Sequence, residues 1–363
     1  MLSVLFLEVD RGLVDPCLEE LVAEEGVVSV NTPASAAADA PSVDEFGQHV
    51  AFTTAATNLG TPAAGGESQV YVRTLASNAT TLASVASGGT VANAASGSPS
   101  LAAMGTAVAF RSTATNLGDP TGQADDYVRL LAAGTTRLAS TAADGTMVAN
   151  APSGPPSLSA HGNIVAYASA ATNLGQPSNG HAQIWVHDYL RGLVTLASPA
   201  SGGGVGAGGD STAPSMSEGG IAVAFQTVAT NLDPGKTATA VDAYVRRVRV
   251  AVAPSVGTTA FLARDGLDGR TLDEQSPPGG AEQSVFDVAV SANGRYAAFL
   301  ISGQSDLTGD PDVWDDGAVY LLRDLETGGL GHGSPRPATA CCPVPAEISK
   351  TALSGPRRRR LDR

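Results

Sequence analysis

The sequence predicts an all-β fold: a β-propeller of five to six four-stranded blades in up-and-down order. Three observations predict it. The letters ATNLG stand at Ala56–Gly60, Ala114–Gly118 and Ala171–Gly175, and ATNLD follows at Ala229–Asp233. Their asparagines, Asn58, Asn116, Asn173 and Asn231, are 58, 57 and 58 residues apart. Two further landmarks keep that step. One is Pro-Ser-apolar at Pro41, Pro99, Pro156 and Pro214; the other is aromatic-Val-basic at Tyr71–Arg73, Tyr127–Arg129, Trp185–His187 and Tyr244–Arg246. Three landmarks in one register mark an internal repeat, and repeats at a fixed period build arrays of one supersecondary unit.

One period, Pro99 to Ala142, shows the elements in order. PSLAA is short and apolar, and MGT is a tight turn. AVAFRST is a compact run with β-branched and aromatic members. The loop ATNLGDPTGQAD follows, then DYVRLLA, a turn at AG, and TTRLAST. These are four short strands. Gly or Pro punctuates every candidate segment, and no window holds a long 3.6-residue period. Neighbouring blades pack face to face, so AVAF and YVR are apolar on both sides. A fifth, diverged unit runs from Val288, after an insertion near Asp265–Ser284.

The ends read differently. Residues 1–30 are expected to form a partial blade, with a third strand at Val4–Gly12 and a fourth at Gly26–Val30. The repeats occupy 31–328, and 329–363 read as an irregular Pro- and Arg-rich tail. On this reading the chain starts and stops mid-blade. Either its N-terminal strands pair with the last blade to close a ring, or it is a piece of a longer product.

Composition excludes some functions. Net charge is −14, from 35 acids against 21 bases. A nucleic-acid partner is therefore not expected. No apolar run reaches the roughly 18–20 residues of a membrane span. The N-terminus lacks the basic segment of a secretory signal. Cys17, Cys341 and Cys342 are odd in number and imply no disulfide framework. GVGAGG at Gly204–Gly209 sits in a loop and not between a strand and a helix, so it is no dinucleotide motif. No Gly-x-Ser-x-Gly or His-Glu-x-x-His pattern occurs.

Candidate sites follow from the loops. The first-to-second-strand turns are short: DEFGQ, AAMGT, SAHGN, SEGGI and SANGR. The second-to-third-strand loops and the inter-blade loops are long and Gly-rich, and they share the opposite rim. Binding residues collect on loops held by a rigid scaffold. Asn58, Asn116, Asn173 and Asn231 are read either as repeated turns and anchors, since Asn tolerates left-handed backbone, or as ligand-binding residues on that rim. Tyr71, Tyr127, Trp185 and Tyr244 are read with their basic partners as cation–ring pairs between blades, or as a row of carbohydrate-binding aromatics. Asp310, Asp312, Asp315 and Asp316 are dense enough to hold calcium; apart from calcium, no cofactor is expected. The corresponding acids Asp119, Asp125 and Asp126, with Asp233 and Asp242, read as solvated loops.

The units PSLSAHGNIVAYASAATNLG…QIWVHDYLRGLVTLAS and VSANGRYAAFLISGQSDL…VYLLRDLETG resemble the TolB-like propeller family over about residues 27–328. The family's turn Asp is replaced by Phe46, Met104, His161 and Gly219, while Asn293 comes close to it. The resemblance implies a binding platform, often exported in bacteria to the periplasm or outside, that takes a protein or carbohydrate partner and is not an enzyme. The alternatives it leaves are a propeller enzyme, lyase or glycosidase-like, and the propeller part of a peptidase without its catalytic domain.

Overall fold

The computed structural model describes residues 34–59, 65–143, 145, 147–189, 191–203, 205–233, 240–248, 259–261, 284–301, 319–327 and 330–333. The strands expected at 4–12 and 26–30, most of the insertion at 265–284, the acidic loop at 310–316 and the tail from 334 onward lie outside the described residues.

The described residues contain no helix and form five four-stranded antiparallel sheets, each in simple consecutive order. The first is β1 (Ala38–Val43), β2 (His49–Thr54), β3 (Gln69–Thr74) and β4 (Ala79–Leu82). The second is β5 (Ser96–Leu101), β6 (Ala107–Ser112), β7 (Asp125–Leu130) and β8 (Thr135–Leu138). The third is β9 (Ser157–Leu158), β10 (Ile164–Ser169), β11 (Gln183–Asp188) and β12 (Leu193–Leu196). The fourth is β13 (Ser211–Met216), β14 (Ala222–Thr227), β15 (Asp242–Arg247) and β16 (Thr259–Phe261). The fifth is β17 (Val285–Val290), β18 (Tyr296–Ile301), β19 (Val319–Asp324) and β20 (Leu330–Gly333). β20 corrects the expectation that everything after 328 is irregular. Its sequence, LGHG, has no strand pattern of its own, and pairing with β19 supplies the conformation.

Composition explains how the sheets pack. At the first three junctions the later sheet turns its aromatic face toward the Ala/Val face of the earlier one. Ala51, Val70 and Val72 of the first sheet meet Phe110 and Tyr127 of the second. Ala109 and Val128 of the second meet Tyr167 and Trp185 of the third. Ala166, Ile184 and Val186 of the third meet Phe225 and Tyr244 of the fourth. Large rings thus fill the space above small side chains, as close packing requires. Few aromatics suffice because each blade needs only one cross-strand pair. Phe52–Tyr71, Phe110–Tyr127 and Phe225–Tyr244 stack directly across the second and third strands, at 6.0, 5.8 and 6.1 Å.

The Pro-Ser landmark has two mechanical roles. The bulges in β1, β5 and β13 fall between Asp39 and Ser42, Gly97 and Ser100, and Thr212 and Ser215, around Pro41, Pro99 and Pro214. Pro lacks an N–H and suits an edge-strand bulge. The Ser after it reaches the next sheet. Its hydroxyl oxygen accepts a backbone N–H there: Leu101 N to Ser42 Oγ, Leu158 N to Ser100 Oγ and Met216 N to Ser157 Oγ, each 2.9 Å. The short turns form a second ladder from sheet to sheet. Glu45 N donates to Ala103 O, Ala103 N to Ala160 O and Ala160 N to Glu218 O, at 2.9, 3.0 and 2.9 Å.

Candidate functional site: the long-loop edge

In an antiparallel meander the second strand ends, and the third begins, at the edge where the fourth strand leaves for the next sheet. The long loops after β2, β6, β10 and β14 therefore share one edge with the connections between sheets. The repeated asparagines clamp these two loop classes together. Asn116 Oδ1 accepts from Asn93 N at 3.1 Å and its Nδ2 donates to Val91 O at 2.7 Å. Asn173 repeats this with Asn150 N and Val148 O, at 3.0 and 2.7 Å. Asn231 Oδ1 accepts from Gly208 N at 2.7 Å, and Asn58 Oδ1 from Ser35 N at 2.8 Å. The clamp is reciprocal. Asn93 Oδ1 accepts from Thr115 N, and Asn150 Oδ1 from Thr172 N, each at 2.9 Å. The leucine after the clamp, Leu117, Leu174 or Leu232, is buried and pins the loop's start.

Tyr71, Tyr127, Trp185 and Tyr244 lie inside the sheets and not on the rim; none is more than 1% exposed. Tyr71 OH donates to Ala56 O in the loop after β2, and Trp185 Nε1–H to Ser169 O at the end of β10. The expected cation–ring pairing takes another form at Arg73 and Arg129. Arg73 donates to Asn78 and Thr80, and Arg129 to Gly134 O and Thr136 Oγ1, so each guanidinium holds the outer hairpin of its own sheet.

One residue position under the edge carries unusual chemistry. In the first and third sheets it is Gln69 and Gln183. Gln69 Oε1 accepts from Ser84 Oγ at 2.6 Å, and its Nε2 donates to Ala92 O and Ala94 O. Gln183 repeats this with Ser198 Oγ at 2.7 Å and Ala207 O at 3.0 Å. A neutral amide is needed because the spot is closed to water and asks for both a donor and an acceptor. The second sheet has Asp125 there. Its Oδ1 accepts from Ser140 Oγ at 2.8 Å, and the donor role passes to Gln123, whose Nε2 reaches Ala149 O.

Asp125 is 0% exposed and Asp119, from the loop above it, 1%. Both were expected to be solvated, as were Asp126 and Asp242; all four are buried. The carboxyls of Asp119 and Asp125 shift one another. Burial, the hydrogen bond to Asp119 and its charge push Asp125 up to about 7. Burial acts to raise Asp119 as well, but the bonds from Asp125 and from Thr121 outweigh it and hold Asp119 below the usual range. Both carboxyls are sealed beneath the edge, where Asp119 accepts from Thr121 N and Oγ1 and Asp125 from Ser140 Oγ, which ties down the loop 119–125.

The proposed calcium ligands Asp310, Asp312, Asp315 and Asp316 lie outside the described residues. Among the described residues no group of three or more His, Cys, Asp or Glu side chains is placed to hold a metal ion. On the opposite edge, the short turns expose Phe46 (62%) and Met104 (65%) at equivalent positions. Sequence reasoning missed Asn93 and Asn150. Their signal was present: VAN recurs at Val91–Asn93 and Val148–Asn150, in step with ATN.

No family model matches the chain, and no curated protein matches it. Solved structures similar to it include TolB from Acinetobacter baumannii, at 12% identity and a TM-score of 0.43, covering 81% of this chain and 53% of that one. The chain thus spans about half the length of that protein. The putative TolB from Agrobacterium tumefaciens gives 16% and 0.44, covering 83% and 81%. The β-propeller domain of the Trilobed protease from Pyrococcus furiosus gives 11% and 0.38, covering 84% and 85%. The blade architecture stands on the five consecutive meanders themselves. No helix among the described residues is long and apolar enough to cross a membrane.

Proposed function

We propose that the chain is a non-enzymatic binding scaffold of the propeller type, with the long-loop edge as its binding surface and a protein or carbohydrate as its ligand. The observation that carries this is the repeated asparagine clamp. It holds the base of every described long loop at Asn58, Asn116, Asn173 and Asn231, while the residues beyond the clamp differ from sheet to sheet. A fixed frame presenting varied loops is how scaffolds present binding residues. The sealed Asp119–Asp125 pair supports a structural role over an enzymatic one, because a catalytic acid must reach its substrate.

The test uses a glycan array and a peptide library as probes. The strongest binder is then titrated against two variants, Glu67→Lys/Pro177→Lys on the loop edge and Phe46→Glu/Met104→Glu on the turn edge; all four residues are exposed. Binding weakened by the first pair alone supports the reading. Binding weakened by the second pair alone moves the surface to the opposite edge. Turnover of a bound glycan or peptide refutes the non-enzymatic reading.

A further inference from the structure

The repeats act as internal controls for one another. Tyr167 in β10 stands where the other four sheets carry Phe52, Phe110, Phe225 and Phe299. Tyr189, just after β11, stands where the others carry Leu75, Leu131, Val248 and Leu325. Asp126 in β7 stands where the first, third and fourth sheets carry Val70, Ile184 and Ala243. Three positions that are apolar in those repeats are polar at a single junction, between the second and third sheets. Arg111 joins them, directly opposite Asp126 across β6 and β7.

None of these groups is satisfied by the protein. Asp126 and Tyr167 are both 0% exposed. Both carboxyl oxygens of Asp126, the hydroxyls of Tyr167 and Tyr189, and Arg111 Nε have no hydrogen-bond partner in the protein. They lie at one packed junction: Arg111 faces Asp126 across the strand pair, and Ala109 and Val128, on the same faces two residues away, pack in one cluster with Tyr167 and Tyr189. The Asp126 carboxyl also adds to the burial that raises both phenols. Buried polar groups are almost always paired, and a coincidence of several unpaired ones at one place calls for a guest.

We propose that this junction binds internal water, which bridges Asp126 to Tyr167, Tyr189 and Arg111. The donor set selects water over an ion. Arg111 Nε–H can only donate, the phenols both donate and accept, and the carboxyl offers two oxygens. A guest must therefore do both, and an internal water makes about three such bonds. Arg111 opposes a cation, and Asp126 opposes an anion. The bridge fixes how the second sheet meets the third.

The test is a crystal structure at about 1.5 Å resolution with a stability cycle beside it. The expected map has ordered density within hydrogen-bond distance of Asp126 and at least one of the two phenols. Asp126 bonded directly to Arg111 or a phenol, or an empty seam, overturns the proposal. In urea, Asp126→Val and Tyr167→Phe each lower the midpoint, because each strands the remaining groups and their water. The double variant is expected to lose less than the sum, since it gives both positions the apolar side chains of the other repeats and removes two of the groups the water bridges. Losses that simply add show that the groups share no guest and overturn it equally.

Discussion

The turn glycines separate two effects that are usually confounded. Gly47 and Gly162 hold equivalent places in the first and third sheets, with φ of +63° and +71°. A methyl group added at Gly47 meets nothing within 4 Å, whereas one at Gly162 lands 2.6 Å from Ala107 Cβ. Ala in left-handed backbone costs about 1–2 kcal/mol, offset by roughly 0.4–1 kcal/mol from a less flexible unfolded chain. Gly47→Ala should therefore destabilise by about 1 kcal/mol or less. Gly162→Ala adds an overpacking cost of about 1–3 kcal/mol, because Ala107 has no rotamer that moves its methyl aside. The total is about 3 kcal/mol, near 6–12 °C in Tm at roughly 2–4 °C per kcal/mol. Thermal melts of both variants, with Ala107→Gly added to Gly162→Ala, are the assay. The expected result is a larger fall for Gly162→Ala and a positive coupling that recovers part of it. Equal falls, or no recovery with Ala107→Gly, would refute the close approach of the second and third sheets at this turn.

Further outcomes follow from the same geometry. Burial and the neighbouring Asp119 push Asp125 up to about 7, far above a free carboxyl. Stability from this group is complete below about pH 4 and is lost as pH rises toward 7. Urea midpoints across that range should fall less for Asp125→Asn, whose amide cannot ionise. Asn116→Ala removes the bonds to Asn93 N and Val91 O and should cost about 1–3 kcal/mol, read from the denaturation midpoint. Ser100→Ala leaves Leu158 N–H without its partner between sheets and should cost about 1–2 kcal/mol by the same measurement.

Much of the fold was legible because a repeat multiplies weak signals. One Val-Ala-aromatic run is ambiguous, but four of them, ending at Phe52, Phe110, Tyr167 and Phe225 in step with the aromatic-Val-basic and ATNL landmarks, are not. The anchoring role of Asn116 and Leu117 was also readable, since turn chemistry is local. What stayed hidden depends on contacts between repeats. Ser42, Ser100 and Ser157 are marked by position, yet their partners lie in the next sheet. Asp125 reads as a surface acid until it is aligned with Gln69 and Gln183, which show that its site needs a neutral group. The Tyr/Trp row reads as a binding strip until the face-to-face packing encloses it. LGHG reads as a tail because glycine carries no strand preference, and only the neighbouring β19 makes it β20.

The central claim is that the long-loop edge is a clamped platform and not a set of soft loops. Amide hydrogen exchange tests it most directly, at Asn93, Asn150 and Gly208, whose N–H groups end on the repeated asparagines. All three are expected to exchange far more slowly than free loop amides, and Asn116→Ala to release Asn93 while leaving Asn150 slow. Fast exchange at all three in the unaltered chain would contradict it.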